Sequence, residues 1–263
     1  MKHARIAWAG EIHHATEDTH DGASRLRLDN GQLVPVDAPG LVWLPPLPPT
    51  PPHRPRTVLA LGLNYADHAR ELAFKPPEEP LAFVKGAGSL VGHRALTVRP
   101  DGVAFMHYEC ELAVVIGRTT RHVSKAHALD CVAGYTIAND YAIRDYLENW
   151  YRPNLRVKNR DAATPLGPWL VDAADIHQRP DGVAGLSLQT TVNGQVTQRG
   201  NTRDLVFDVP TLIAYFSSFM TLYPGDVILT GTPDGVVNCE AGDHIVCTID
   251  GLGALHNTLI APH

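Results

Sequence analysis

The sequence predicts a mainly β or α+β fold, in which a sandwich or roll of short strands carries a few covering helices. Short aliphatic and β-branched runs of strand length lie at residues 58–61, 81–85, 112–116, 186–192, 226–230 and 244–249. Turn dipeptides separate several of these runs, as at Asn193-Gly194 and Asp250-Gly251. Helical patterns are fewer, at about residues 65–74, 125–133, 142–150 and 209–219. The sequence shows neither a strand-helix-strand alternation nor a Gly-x-Gly-x-x-Gly segment, so nothing in it predicts a dinucleotide-binding fold.

The chain is predicted to have three parts. Residues 1–43 contain short strand-like runs, and Asn30-Gly31 between alternating apolar residues indicates a β-hairpin, so this part is expected to be a small β appendage. Residues 44–55 are rich in proline, which favours a semi-rigid linker, with a recognition peptide for a proline-binding domain as the alternative. The main domain is expected to comprise residues 56–263.

Composition narrows the functional class. The formal charge is −6 and no basic run is present, so neither a nucleic acid nor an acidic membrane surface is expected as a partner. The apolar stretches are far shorter than the roughly 20 residues of a membrane span, and the start of the chain lacks the apolar region of a signal peptide, so the sequence predicts a cytoplasmic protein. Its 4 cysteines include no Cys-x-x-Cys pair and are expected to be reduced core residues.

The strongest chemical signal is a group of three carboxylates. Glu109 and Glu111 flank Cys110 at the start of an apolar, β-branched run, and Asp140 ends a second such run. Successive side chains of a strand point to opposite faces, so the two glutamates share one face and Cys110 points away. Such a pair raises the pKa of both carboxyls unless a cation binds, and oxygen ligands select a hard ion such as Mg²⁺, Ca²⁺ or Mn²⁺. For the glutamate pair alone, a solvated strand face is an equal alternative; Asp140 favours a metal site that is open to substrate oxygens.

Two further segments carry groups that can move or neutralise charge. A short helix over the Asn-Tyr-x-x-His-x-x-Glu segment places His68 and Glu71 on one face, where the carboxylate can hold one imidazole proton and leave the other nitrogen as a base or acid. A solvated helix face is the alternative there. A basic, proline-broken loop at residues 152–161 indicates anion recognition. Its most telling pair is Lys158 near Asp161, because a lysine beside an oxyanion neutralises developing charge.

A fourth segment is the Gly231-Thr232-Pro233 turn, in which Thr232 can offer its hydroxyl and N–H to a ligand carboxylate. Taken in order, the four segments resemble the fumarylacetoacetate hydrolase superfamily, from about residue 58 to the C-terminus. The shared pattern consists of the N-Y-x-x-H-x-x-E helix, the E-x-E pair with its later aspartate, a downstream K-x-x-D and the G-T-P turn.

The resemblance implies the superfamily's mixed β-sandwich roll, usually dimeric, with a catalytic domain over residues 56–263. It implies a site for Mg²⁺ or Mn²⁺ on Glu109, Glu111 and Asp140. It also assigns catalysis to His68, Glu71 and Lys158, and substrate binding to Arg144 and Thr232.

Within the superfamily, residues 62–80, 106–111 and 139–158 are most similar to the isomerase/decarboxylase branch of homoprotocatechuate (4-hydroxyphenylacetate) degradation, in the half or subunit that carries the metal site. Hydrolases of the superfamily often have a glutamine seven residues after the metal-binding aspartate, whereas this chain has Leu147, which cannot donate a hydrogen bond to an oxyanion.

The function that the resemblance implies is metal-dependent decarboxylation of 5-oxopent-3-ene-1,2,5-tricarboxylate, isomerisation of 5-carboxymethyl-2-hydroxymuconate, or both, through a metal-stabilised dienolate. An acylpyruvate or fumarylpyruvate hydrolase that uses the same site is one alternative, and a non-catalytic metal-binding subunit is another. The expected partners are a small anionic oxo acid and a second copy of the chain, or a paralogous subunit.

Overall fold

The computed structural model describes residues 1–20, 23–51, 53–67, 77–147 and 154–262. Strands dominate, which confirms the predicted fold class. The described strands are β1 (Lys2–Trp8), β2 (Glu11–His20), β3 (Ala23–Leu28), β4 (Leu33–Pro35), β5 (Val42–Leu44), β6 (Val58–Gly62), β7 (Leu81–Val84), β8 (Leu90–Val91), β9 (Leu96–Val98), β10 (Met106–His107), β11 (Cys110–Ile116), β12 (Val132–Asn139), β13 (Ala142–Ile143), β14 (Thr164–Asp172), β15 (Ser187–Val192), β16 (Gln195–Asn201), β17 (Val227–Leu229), β18 (His244–Ile249) and β19 (Gly253–Ile260).

Helices are short in the described part of the chain. The α-helices that lie wholly within the described residues are α1 (Leu155–Lys158), α2 (Ala173–His177) and α3 (Val209–Phe219), and 3₁₀ turns occur at Ala87–Ser89, Lys125–His127, Leu129–Cys131, Arg144–Tyr146, Gly182–Gly185 and Thr202–Asp204. Helix α3 begins as the sequence predicts, with Asp208 accepting a hydrogen bond from the Thr211 N–H at 2.9 Å. The helix predicted at 125–133 is wrong, because two 3₁₀ turns lead there directly into β12.

Two sheets form the body of the fold. The larger has the order β4-β3-β2-β1-β14-β12-β11-β17-β6-β7, with β5 paired to β1 and β8 to β14, and the smaller has the order β16-β15-β18-β19-β9. Strands β11, β12 and β14 pack against β15, β18 and β19 of the smaller sheet. Their apolar side chains, such as Leu112, Ile137 and Ile245, form the main core and are at most 1% exposed. The result is a β-sandwich with a few covering helices.

Strand β11 occupies the centre of this arrangement and is buried on both faces. Leu112 and Val114 face the main core, whereas Ala113 and Val115 belong to a second apolar cluster with β6 and β17. Because β11 and β12 are antiparallel, the first residue of β11 lies beside the last residue of β12, with Cys110 opposite Asn139. The carboxylates that the sequence singles out lie at these ends of the two central strands.

The strands of residues 1–43 extend the large sheet, since β1 pairs with β14 through Lys2 opposite Val171. The Asn30-Gly31 turn joins β3 and β4, which pair as the predicted hairpin. Ile6 and Leu26 are fully buried in the main core. The division into appendage, linker and main domain stays a prediction. Among the described residues, no helix combines the length and apolar character that crossing a membrane requires.

Candidate metal centre and active site

The three carboxylates lie together where β11 begins and β12 ends. The Asp140 N–H donates to the Glu109 carbonyl at 2.9 Å, and the Glu109 N–H donates to the Asn139 side chain at 3.1 Å. These bonds place Glu109 and Asp140 side by side, and Glu111 follows on the same face of β11. One oxygen from each carboxylate lies within 4.8 Å of the other two. Cys110 points to the opposite face and is buried in the main core, as strand alternation predicts.

Two buried lysines accompany this acid cluster of Glu109, Glu111 and Asp140. Lys158 Nζ lies 2.5 Å from Glu109 Oε2 and 3.1 Å from Asp140 Oδ2. Lys85 Nζ lies 2.5 Å from Asp140 Oδ1 and also donates to the Lys158 carbonyl. With the carboxylates ionised and both lysines protonated, three negative and two positive charges leave the cluster with one uncompensated negative charge.

Burial acts differently on the ionisable groups of this cluster. Burial raises the pKa of the Glu111 carboxyl well above its ordinary value, and the neighbouring carboxylates of Asp140 and Glu109 raise this pKa further. Burial also lowers the pKa of Lys85, with the charge of Asp140 opposing this effect. For Lys158, burial alone would lower the pKa, but the surrounding carboxylates, led by Asp140, outweigh it and raise the pKa. Lys158 therefore remains a cation at neutral pH.

The cluster has the features of a site for a hard divalent cation. Glu111 Oε2 accepts a hydrogen bond from the Gly231 N–H at 2.6 Å, but Glu111 Oε1 is buried without a hydrogen-bond partner among the described residues. Asp140 Oδ2 is in the same situation: Lys158 Nζ is 3.1 Å away, but not in hydrogen-bond geometry. Buried oxygens without partners are costly, and a bound cation would satisfy both. The donor set, all carboxylate oxygens, is one that Mg²⁺, Mn²⁺ or Ca²⁺ accepts.

An open cavity lies beside the cluster. Its polar lining comes from Glu109, Lys158, His107, Arg144, Asn154 and Thr232. Its apolar lining includes Leu61, Leu63, Leu81, Phe83, Ala142, Leu147 and Val157. The lining of the cavity is therefore mainly apolar, with the carboxylate of Glu109 and the donor groups of Lys158 and Arg144. Such a lining suits an anionic organic molecule.

Arg144 offers hydrogen-bond donors to this cavity. Its guanidinium lies 4.7 Å from the centre of the Phe105 ring, and its Nε and Nη2 atoms are buried without a hydrogen-bond partner among the described residues. The loop that carries Phe105 is fixed by Asp145, whose carboxylate accepts from the Ala104 and Phe105 N–H groups at 2.9 Å each. A carboxylate of a bound ligand would fit the two donors of Arg144.

The structure brings together most of the residues that the sequence assigns to the site. Arg144, Lys158 and Thr232 line the cavity, as does Leu147. Lys158 makes its described ion pairs with Glu109 and Asp140 rather than with Asp161, because α1 directs its side chain inwards. The proposed proton-transfer pair, His68 and Glu71, lies outside the described residues, although Ala66 and Asp67 just before it are helical. The functional roles of all these residues stay predictions.

Sequence reasoning missed Lys85 and His107. Lys85 follows β7 and is 2% exposed, and its only sequence signal is a lysine that ends an apolar run. His107 lines the cavity, with Nδ1 3.0 Å from the Tyr108 carbonyl and 3.7 Å from Glu109 Oε1. It precedes Glu109 by two residues, so strand alternation could have placed it on the face of the glutamates.

Comparison with known proteins identifies relatives of this chain. The model of the fumarylacetoacetate hydrolase C-terminal domain matches residues 57–260. The 4-hydroxyphenylacetate degradation bifunctional isomerase/decarboxylase of Salmonella dublin is 56% identical over 204 residues, which are 78% of this chain and 47% of the relative. The homoprotocatechuate catabolism bifunctional isomerase/decarboxylase of Escherichia coli is 56% identical over 210 residues, which are 80% and 48% of the two chains. The chain thus spans about half the length of these curated relatives.

Solved structures share the fold over most or all of this chain. A 5-carboxymethyl-2-hydroxymuconate delta-isomerase from Mycobacterium smegmatis has a TM-score of 0.82 and 34% identity, with 100% of both chains covered. A fumarylpyruvate hydrolase from Pseudomonas aeruginosa, in complex with Mn²⁺ and pyruvate, has a TM-score of 0.73 and 29% identity, with 86% of this chain and 94% of that chain covered.

Proposed function

Because the chain belongs to the fumarylacetoacetate hydrolase family, we propose that it catalyses metal-dependent decarboxylation of 5-oxopent-3-ene-1,2,5-tricarboxylate, isomerisation of 5-carboxymethyl-2-hydroxymuconate, or both. The relatives at 56% identity are named bifunctional isomerase/decarboxylases, and a structure at 34% identity is named for the isomerase. The observation that carries the proposal is the acid cluster with its two lysines and partnerless oxygens, beside a cavity lined by Arg144 and Thr232.

The charge of the cluster supports an anionic oxo-acid substrate. Three carboxylates and two ammonium groups have a net charge of −1, so a divalent cation brings the site to +1. One substrate carboxylate then neutralises it, and in a buried site a neutral total is strongly preferred. Arg144 supplies a further positive charge at the cavity wall for a second carboxylate.

A divalent cation, Mg²⁺ or Mn²⁺, held by Glu109, Glu111 and Asp140 would supply positive charge where negative charge develops on the substrate's 2-oxo oxygen. The protein's own groups have separate tasks. Lys158, kept protonated by its carboxylate neighbours, holds Glu109 in place and adds positive charge beside it. Arg144 has two buried donors that can bind and orient a carboxylate that stays on the substrate.

Both reactions need a proton carrier. Decarboxylation breaks a C–C bond, leaves the electron pair on the carbon skeleton as CO₂ departs, and ends when a carbon takes up a proton. Isomerisation moves a proton from one carbon to another. His68 and Glu71 fill this role in the proposal, which for these two residues is supported by the sequence pattern alone. Neither reaction adds water to a carbonyl, so the apolar Leu147 in the cavity wall is compatible with both.

The test is turnover by the full chain after EDTA treatment, with and without added Mg²⁺ or Mn²⁺. We expect metal-dependent loss of the 5-carboxymethyl-2-hydroxymuconate absorbance, or metal-dependent CO₂ release from the tricarboxylate. Glu109→Ala should abolish both activities while circular dichroism stays unchanged. Glu11→Ala, at a side chain that is 80% exposed, is the matched control and should keep full activity. Metal-dependent turnover that survives in Glu109→Ala would overturn the assignment of the site.

A second candidate is cleavage of fumarylpyruvate or a related acylpyruvate, since a fumarylpyruvate hydrolase is among the structures that share the fold. Leu147 weighs against it, because hydrolysis passes through a tetrahedral oxyanion that an aliphatic side chain cannot stabilise. Incubation with fumarylpyruvate and with acetylpyruvate, each with Mg²⁺, discriminates the two candidates. Cleavage faster than turnover of the muconate or the tricarboxylate would favour the hydrolase.

The curated relatives are about twice as long as the matched region, so we also propose that the chain works as a homodimer or pairs with a paralogous chain. Light scattering after size-exclusion chromatography should give twice the chain mass of 28.6 kDa. A monomer that is fully active would contradict the homodimer, and a monomer that becomes active only with a paralogue would support the mixed pair.

A further inference from the structure

Gln198 of β16 fixes the hydrogen-bonding pattern around Thr232. Both side chains are 2% exposed. Gln198 Nε2 lies 2.7 Å from the Pro233 carbonyl and 2.9 Å from Thr232 Oγ1, and Gln198 Oε1 accepts from Thr190 Oγ1 at 2.8 Å. A carbonyl can only accept, so the NH₂ group of Gln198 must face Pro233. The orientation of the amide is therefore determined by its neighbours.

This orientation decides what the Thr232 hydroxyl can do. One amide proton of Gln198 goes to Pro233 and the other goes to Thr232 Oγ1, so the hydroxyl accepts from Gln198. Its own single proton cannot return to the same NH₂ group and is available for another acceptor. Thr232 lines the cavity together with Glu109 and Arg144. The hydroxyl of this cavity-lining residue is therefore fixed as a hydrogen-bond donor towards a group other than Gln198.

Packing holds the turn of Thr232 against the sheet. Thr190 and Gln198 are direct cross-strand partners of β15 and β16, which explains why the two side chains meet on one face. Two residues further along β16, a Cβ added at Gly200 would lie 2.6 Å from Pro233 Cγ, so the turn sits directly on the strand at this glycine. The geometry of Thr232 is thus set by β16, which contributes no cavity-lining residue in the described part of the chain.

We propose that Gln198 is a positioning residue, which keeps the Thr232 hydroxyl as a donor to a carboxylate or carbonyl oxygen of the substrate. The inference rests on the proposed function and specifies one of its substrate contacts. The ligand group that takes the proton of the hydroxyl has to be a hydrogen-bond acceptor. An anionic oxo acid meets this condition and a protonated amine does not.

Gln198→Glu is the sharpest test, since it replaces the NH₂ group by an oxygen with almost no change of shape. The new carboxylate cannot donate to Pro233 and would accept the proton of Thr232, which turns that proton away from the cavity. Loss of a hydrogen bond to a charged ligand predicts a rise of KM by roughly 10- to 100-fold, with a smaller change in kcat. Thr232→Val should give a similar rise, and Thr232→Ser, which keeps the hydroxyl, should stay close to the wild type.

The double variant separates this role from a plain charge effect. If Gln198 acts through Thr232, adding Gln198→Glu to Thr232→Val raises KM no further. If the new negative charge simply repels the substrate, the same factor appears in both backgrounds, and the proposal is overturned. An unchanged KM in Gln198→Glu also overturns it. Should that variant not fold, Gln198→Met removes the donor without adding charge, and a KM rise of about threefold or more must vanish in the Thr232→Val background.

A binding assay keeps this test apart from the proposed reaction. The same set of variants is titrated with 2-oxoglutarate in the presence of Mg²⁺, by calorimetry, and the Kd values replace KM. A wild type that binds 2-oxoglutarate but turns over neither proposed substrate would refute the proposed function. The Kd values of the single and double variants would still test whether Gln198 acts through Thr232. A wild type that neither binds nor turns over would overturn both.

Discussion

Replacing Glu111 by glutamine should make the metal-free protein more stable, even though it removes a proposed metal ligand. Glu111 is fully buried, and its Oε1 has no hydrogen-bond partner among the described residues. Burial, followed by the charges of Asp140 and Glu109, raises the pKa of this carboxyl. A glutamine has the same shape, can still accept from the Gly231 N–H, and can donate its NH₂ group to a neighbouring carboxylate.

The expected gain in the free energy of unfolding follows from the buried charge of Glu111 and its unpaired oxygen. A buried polar group without a partner costs about 1–3 kcal/mol, so Glu111→Gln should raise the free energy of unfolding by an amount on this order without metal. For a chain of this size, that corresponds to a Tm increase of roughly 2–10 °C. With Mg²⁺ at 100 times its Kd, the wild type gains about 2.7 kcal/mol from binding, and the variant gains far less. Where the gain of Glu111→Gln in EDTA is below about 2.7 kcal/mol, the order of stabilities should therefore reverse when Mg²⁺ is added.

The pH dependence has a definite sign. Because the pKa of Glu111 is raised above the ordinary 4.5, the native state holds a proton that the unfolded state has released once the pH exceeds that value. The stability of the metal-free wild type should fall as the pH rises from about 4.5 towards the raised pKa. Glu111→Gln should lack this contribution.

Thermal and urea unfolding, in EDTA and in MgCl₂ and over a series of pH values, measure the stability gain, the effect of Mg²⁺ on it and the pH dependence. Glu11→Gln makes the same chemical change at a side chain that is 80% exposed, and it should leave the unfolding free energy and the response to Mg²⁺ unchanged. The reasoning is refuted if Glu111→Gln is less stable than the wild type in EDTA. It is also refuted if the two proteins are stabilised equally by Mg²⁺.

Three other substitutions test separate parts of the structure. Lys85→Met should destabilise the protein by up to about 3–5 kcal/mol in EDTA, because Asp140 Oδ1 loses its partner and Lys158 is the cation that remains beside Asp140. The loss should be clearly smaller in Mg²⁺, and equal losses in urea unfolding would contradict this. Burial lowers the pKa of His93 to about 3, so the native state binds fewer protons than the unfolded state between pH 6.5 and 3, and stability falls on acidification. His93→Asn, which keeps an acceptor for the His256 N–H, should flatten this fall of up to about 1.4 kcal/mol per pH unit, measured by urea midpoints between pH 7 and 5. Leu147→Gln adds a donor to the cavity and should raise cleavage of fumarylpyruvate by up to about 100-fold, and no increase would show that this position does not separate the two reactions.

The sequence predicted the elements whose signals are local. Helix α3 has an aspartate cap and an early proline, and the β3-β4 hairpin has its Asn30-Gly31 turn. Local patterns failed where strand pairing overrides them. The pattern at 125–133 ends in β12, which is held between β11 and β14. Of the pattern at 142–150, the structure describes residues 142–147, and these begin with β13, which pairs with β10.

The same distinction applies to the site. Alternation along one strand places Glu109 and Glu111 on one face, and this needs no knowledge of the fold. The meeting of Asp140 with Glu109 requires that β11 and β12 be neighbours. Lys85 follows β7, which lies four strands away from β12 in the large sheet, and its ion pair with Asp140 has no sequence signal. The contact of Gln198 with Thr232 has no sequence signal either, because the two residues are 34 positions apart.

The pattern of occupied oxygens bears on the identity of the ion. Glu109 Oε2 is taken by Lys158, Asp140 Oδ1 by Lys85 and Glu111 Oε2 by the Gly231 N–H. Each carboxylate therefore has one oxygen held by the protein, and its second oxygen could bind a cation, with Lys158 Nζ 3.1 Å from the second oxygen of Asp140. Ca²⁺ takes six to eight oxygens and often binds carboxylates through both, whereas Mg²⁺ is smaller and typically takes one or two carboxylates together with water or substrate oxygens. In the proposed function, binding through single carboxylate oxygens would favour Mg²⁺ or Mn²⁺ over Ca²⁺, and it would leave the remaining positions of the ion to the proposed oxo-acid substrate.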